Sequence, residues 1–266
     1  VATEGFSWYL KNIKADRLSS DAFANLHALV IKEGSAPKKL AVRMPATVSL
    51  RSGWSADSIS VVTSACNSMA GHIQHDAGTV VIGTKGSWLI SDPGYQQYME
   101  SSEREYTLGV NAHNFPVING KAQTVKNSKV VSLKDDGKPF VELDITNCYE
   151  SGLANKVTRK IWIPDSSRVV IGDTVLGDKI ETIQYFWHGH PEGFWFIEDW
   201  AFVQRAGASL WFKRVGANPK PENLNRIRGS RGSLTLSDQI EGKPKTPIYW
   251  VFTTSKPISH PTINSD

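Results

Sequence analysis

Cysteine is nearly missing: the 266-residue chain holds two, Cys66 and Cys148. They stand far apart and form no CxxC or zinc-finger spacing. That excludes a cysteine-built metal or redox centre and leaves one disulfide or two buried thiols. A GxSxG elbow, a reactive-cysteine context, a P-loop and a GxGxxG turn are also absent, so nucleophile and nucleotide chemistry have no signature. No apolar run is long enough to span a bilayer, and none resembles a signal peptide. Position 1 is not methionine, and the chain reads as a processed product or an excised piece. No repeat of fixed period is visible, which argues against a propeller. A strong charge of one sign is lacking as well. The 30 basic and 26 acidic residues give +4, a mild lean toward a polyanionic partner without a nucleic-acid motif.

Hydrophobic residues make up 40% and charged residues 21% of the chain, as in a folded domain with an ample core. Nine tryptophans are many, and Trp both fills cores and stacks on sugars. Helical spacing is confined to the start: Phe6, Tyr9, Leu10 and Ile13, then Phe23, Leu26, Leu29 and Val30 after a Ser19-Ser20-Asp21 cap. From Lys38 the apolar period becomes two, punctuated by Gly, Pro, Asn and Asp. About fifteen short strands are expected, among them 79–83, 88–91, 115–118, 182–187, 195–204 and 233–237. The expected fold is all-β: a large antiparallel multi-sheet β-sandwich at 36–266, preceded by a short helical segment at 1–35.

Chemistry-bearing residues concentrate between Gly71 and Asn114. Val80–Ile82 and Trp88–Ile90 read as two strands joined at Lys85-Gly86, and such a hairpin brings Asp76 and Asp92 side by side. His72, His75 and, after a loop, His113 can converge there. Two carboxylates with imidazoles fit a metal site, an acid/base site or a solvated polar rim. Zinc accepts two His and one Asp, here His72 or His75 with Asp92 and His113. Tyr95, Tyr98 and Tyr106 follow within reach, and a tyrosine beside a cation can exchange protons. His188 and His190 in FWHGHPEGFWF are read as part of a turn that packs with aromatic residues and borders a groove. Asn114 and the segment Arg51-Ser52-Gly53-Trp54 lie at strand ends, where they either bind a ligand or cap turns. Lys213, Arg214, Lys220, Arg226, Arg228 and Arg231 form the densest basic stretch, read as a loop.

Several of these motifs together resemble the C-terminal part of the heparinase II/III family of polysaccharide lyases. They are GHxxxDAG at 71–78, WLIxDPG at 88–94, a tyrosine-bearing loop ending in AHN at 112–114, and Gln123. RSGW at 51–54 and RKIWIPDSSRVVIGDTV at 159–175 fit the same pattern. The resemblance covers roughly residues 40–200. It implies a β-sandwich partnered by an N-terminal α/α toroid, with the substrate groove between them, and cleavage of uronate-containing acidic polysaccharides by β-elimination. It also implies His72 against the substrate carboxylate and Tyr98 on the loop approaching the substrate. Asp92 and His113 would be ligands of a site-organising zinc. Arg51, Trp54, Asn114 and His188, read from their own positions, are the candidate substrate contacts beside them. The family writes HxHxD where this chain has Gln74. His75, one place along, is therefore the remaining candidate for a third metal ligand, although on a strand it points to the opposite face. The toroid is absent, and the helices at 1–35 read as its end, so this chain alone is expected to bind without turnover. A bacterial periplasmic or secreted location goes with that substrate. A non-catalytic carbohydrate-binding or structural sandwich is the alternative.

Overall fold

A computed structural model describes residues 39–65, 74–94, 98–124, 126–189, 194–197, 200–216 and 234–257. The helical segment expected at 1–35, His72, Tyr95, His190 and most of the basic loop lie outside the described residues. The chain divides after Leu40 into two units, and the described strands all belong to the second, Ala41–Asp266.

Sixteen strands among the described residues form two eight-stranded antiparallel sheets. The first sheet takes, in spatial order, β1 (Ala41–Arg43), β2 (Thr47–Arg51), β3 (Ser60–Ser64), β4 (Val80–Thr84) and β5 (Ser87–Ile90). It continues with β11 (Thr182–Gly189) and β15 (Leu234–Glu241), and β6 (Val117–Ile118) also pairs with β11. The second sheet runs β12 (Phe194–Ile197), β13 (Trp200–Arg205), β14 (Ala208–Arg214), β16 (Ile248–Thr253), β10 (Arg168–Leu176), β9 (Lys156–Asp165), β8 (Phe140–Asp144) and β7 (Lys129–Lys134). Alternation in β2, β3 and β8 is strict: every second residue is buried. Those inward residues join one core that also holds Trp187, Trp250, Phe212 and Phe252. Trp187 packs edge-on against Trp250 at 5.2 Å and Phe252 at 5.0 Å. The second sheet carries a further apolar cluster of Val170, Trp200, Trp211 and Val251. Strand β10 is therefore covered on both faces, which its nearly unbroken apolar sequence reflects.

The hairpin turn at Lys85-Gly86 is as the sequence suggests. Both residues have positive φ, 50° and 72°, the backbone that a two-residue turn between twisted strands requires. Elsewhere the structure corrects the reading. The single strand expected at 195–204 is two, β12 and β13, paired antiparallel with Phe196 opposite Ala201. An aromatic-rich run on both sides of Glu198-Asp199 conceals the reversal from a periodicity argument. Helix α1 (Ser102–Leu108) falls where only a loop was expected. Its signal is a Ser101 cap, whose Oγ accepts from the Arg104 amide at 3.2 Å, followed by Glu103 and Glu105 in the first turn. Cys148 is buried, its Sγ donating to the Lys126 carbonyl at 3.1 Å.

A fully buried ion pair joins the layers. Arg159 on β9 lies directly opposite Asp173 on β10. Its Nε and Nη2 donate to the two carboxylate oxygens of Asp173, each at 2.8 Å. Its Nη1 reaches across to the first sheet's loops, donating to the Gly78 carbonyl at 2.6 Å and the Asn114 carbonyl at 2.7 Å. Burial alone would pull the guanidinium pKa down, but the Asp173 carboxylate outweighs it and the net direction is up. Removing one member leaves the other as a lone buried charge. Arg159→Met should therefore lose about 3–5 kcal/mol in urea unfolding. The double variant Arg159→Met/Asp173→Leu should recover part of that loss.

Candidate functional site

The hairpin β4–β5 delivers its two flanks to one end of the first sheet. Past β5, the side chain of Asp92 folds back on its own loop: Oδ1 accepts from the Gly94 amide at 2.9 Å. Its Oδ2 faces His113 Nδ1 at 2.9 Å. His113 is buried, and its ring lies nearly parallel to Phe115 at 6.0 Å. Asp76, on the other flank, accepts from Ser64 Oγ at 3.2 Å. Burial pushes its carboxyl above the usual range, with His113 pulling down and Asp92 pushing up. Both aspartates are thus within electrostatic reach of His113, as the hairpin geometry implies.

Three amide side chains hold this arrangement. Gln123 makes a reciprocal pair with Ala77, accepting from its amide and donating to its carbonyl, both at 2.9 Å. Gln74 Nε2 donates to the Gly94 carbonyl at 3.1 Å and the Thr107 carbonyl at 2.9 Å, tying the Asp92 loop to α1. Asn114 is the hub. Its amide donates to Thr79 Oγ1 at 2.9 Å, and Nδ2 donates to the Val80 and Ser91 carbonyls at 2.8 and 2.9 Å. With Nδ2 so occupied, Oδ1 is fixed as an acceptor. It takes the His188 amide at 3.0 Å and faces His188 Nδ1 at 2.9 Å.

Asn114 and His188 are the two residues of this hub that the sequence offers as candidate substrate contacts. Both are fully buried, and His188 stands in strand β11 and not in a turn. Its second nitrogen faces the Asn111 carbonyl at 2.8 Å. Their work is to lock the 111–114 loop onto the sheet beneath His113. Tyr106 meets His188 edge-on at 6.4 Å and reaches Thr235 Oγ1 at 3.3 Å. Tyr98 is 77% exposed. Arg51 and Trp54 are elsewhere on the same sheet. Arg51 pairs across with Ser60, Ser60 with Gly83, and Gly83 with Trp88, a row at the turn end of the hairpin. The Arg51 guanidinium lies 4.5 Å from the Trp54 ring.

The sequence matches the family described as "Heparinase II/III-like, C-terminal" over residues 49–259. The chain belongs to that family. The fold is similar to that of a heparinase III at 15% identity and TM-score 0.69, covering 94% of this chain and 41% of that one. It is similar also to the heparan sulfate lyase HepC from Pedobacter heparinus, at 13% identity and TM-score 0.68, covering 94% and 42%. A further heparinase III structure matches at 14% identity and TM-score 0.63, covering 84% of this chain and 38% of that one. The chain thus spans about two-fifths of the length of these proteins. No curated protein sequence gives a significant match.

The zinc implied by the family needs nitrogen or carboxylate donors at three protein positions. Asp92 and His113 supply two. At the position of the third, Gln74 offers an amide whose nitrogen is committed to two carbonyls. His75 does not join the pair: among the described residues no three His, Cys, Asp or Glu side chains gather as a metal site. Gln74→His restores the third nitrogen, and metal analysis after dialysis should find about one zinc per chain in that variant and markedly less in the parent.

Burial pushes the His188 pKa down to about 4, against the opposing pull of Asp92 and the Asn111 carbonyl. Burial thus favours the neutral form of the folded ring at pH 7, while both of its nitrogens face acceptor oxygens and a neutral ring donates to only one of them. Its contribution to stability is full above the unfolded value near 6.5 and is lost as pH falls toward 4, an effect of about 3 kcal/mol. Urea unfolding of His188→Gln should show a stability loss between neutral pH and the folded pKa smaller than the parent's by roughly that amount.

Proposed function

We propose that this chain is the sandwich part of a lyase that cleaves uronate-containing acidic polysaccharide by β-elimination. The observation that carries the reading is the Asp92–His113 pair held by Asn114 and Gln74, within the segment that matches the family. The names of the structurally similar proteins, one a heparan sulfate lyase, support an acidic glycan. In such a reaction a base takes the C5 proton, the electron pair forms the C4–C5 double bond, and the C4–oxygen bond breaks as an acid protonates the leaving oxygen. The uronate carboxylate must be neutralised first. His72 is proposed to meet that carboxylate, and Tyr98, which is exposed, to face the reacting ring. The pair of half-buried Asp92 and buried His113 ties the segment after β5 to the 111–114 loop. A bacterial location outside the cytoplasm accords with a polymeric glycan substrate.

The share of the relatives' length that this chain spans favours a division of labour. The remaining groups belong to a helical domain, and the chain alone acts as a glycan-binding module. Incubated with heparan sulfate, the chain should release no unsaturated, ultraviolet-absorbing product, whereas a protein joining it to such a helical domain should. Chromophore released by the chain alone would place the whole catalytic set within these 266 residues.

A further inference from the structure

Trp88 stands in strand β5, yet it is 42% exposed. The cause is a bulge: the register shifts between Ile82 and Gly83, so that Leu89 and Ile90 both join the core and Trp88 faces outward. Its indole lies over Gly83, where an added Cβ would sit 2.8 Å from Trp88 Cε3. The absence of a side chain at 83 is what lets the ring lie flat against the sheet. Across the same row stand Ser60 and then Arg51, whose guanidinium is parked on Trp54. Three strand spacings separate Arg51 from Trp88, about 14 Å between Cα atoms. Asp92 is four residues from Trp88 along the chain, at most about 14 Å away.

His188, Trp88 and Arg51 all project from the outer face of the first sheet, since Trp187, Leu89 and Leu50 beside them point into the core. That face therefore carries the polar site at one end, and an exposed indole and a cation at the other. We propose that Trp88 is a stacking platform for a sugar ring of an acidic glycan, with Arg51, three strands away on the same row, pairing with a carboxylate or sulfate of another residue of that glycan. The glycan would run on from the Asp92–His113 end of the sheet. A flat indole matches the apolar face of a pyranose, and a guanidinium matches a planar or tetrahedral oxyanion. Arg51 holds the positive charge on this row, which fits the sign of the ligand. The proposal rests on the functional reading above and adds a second contact region to it.

The test is calorimetric titration of the chain with heparan sulfate oligosaccharides of increasing length. Trp88→Ala should weaken binding of long oligosaccharides by about tenfold. Trp88→Phe should recover part of the loss, and Arg51→Gln should weaken binding with a reduced salt dependence. Trp88 is exposed, so thermal unfolding of Trp88→Ala should match the parent. If the chain binds long oligosaccharides and Trp88→Ala binds them equally well, the platform is refuted while the functional reading stands. This is also the outcome if the indole instead contacts a helical domain. If the parent chain binds no acidic glycan at any length, the functional reading itself falls, and the platform with it.

Discussion

The Arg159–Asp173 pair is the constraint on which the candidate site depends. A guanidinium with no access to water needs acceptors for its N–H groups, and four of the five have them here. Asp173 satisfies two, and the Gly78 and Asn114 carbonyls take the third nitrogen. Those carbonyls belong to the two segments that flank Asp76 and His113. The charge in the second sheet thereby fixes the backbone from which the first sheet's polar residues project. Asn114 passes that order onward, since its side chain binds β4, the end of β5 and β11 at once. Burying an ion pair is a weak route to stability. Its effect here is positional: it admits one placement of the 78 and 114 loops relative to the sandwich core.

Legibility in the sequence followed the range of the interaction. The β4–β5 hairpin was readable because a two-residue turn is decided by its own residues, and Lys85-Gly86 adopts the positive φ values it needs. The meeting of Asp92 and His113 followed from that turn. The roles of Asn114 and His188 did not, because the two lie 74 residues apart and no local pattern encodes such a bond. Arg159 gave no signal either. In sequence it is one basic residue in a strand, and only its position opposite Asp173 in the register makes it a core residue.

Tryptophan shows the same limit from another side. Its abundance was compatible with sugar stacking, but most of the described indoles serve the two apolar clusters. Composition cannot divide nine such residues between core and surface. The division is made by strand parity, and at Trp88 by a bulge that breaks parity. Gln74 is a related case. Spacing marked it as a departure from the family's histidine, but only the folded structure shows that its amide nitrogen bonds two carbonyls and connects the Asp92 loop to α1.

The two faces of the first sheet therefore do different work with the same strands. The inner face is apolar and packs against the second sheet, so its residues are constrained by volume. The outer face is not closed over along its length. Near β11 it is covered by Phe115 and Val117 packed on Phe186, which buries the His188–Asn114 hub and makes the hydrogen bonds there dry and directional. Toward β2 to β5, Trp88 is exposed and Arg51 partly so. A buried, rigid polar hub adjoining an open strip on one face is the arrangement expected where a chain-like ligand must be held along its length while one bond is presented at a fixed point. Asn114 alone bonds β4, the residue after β5, and β11.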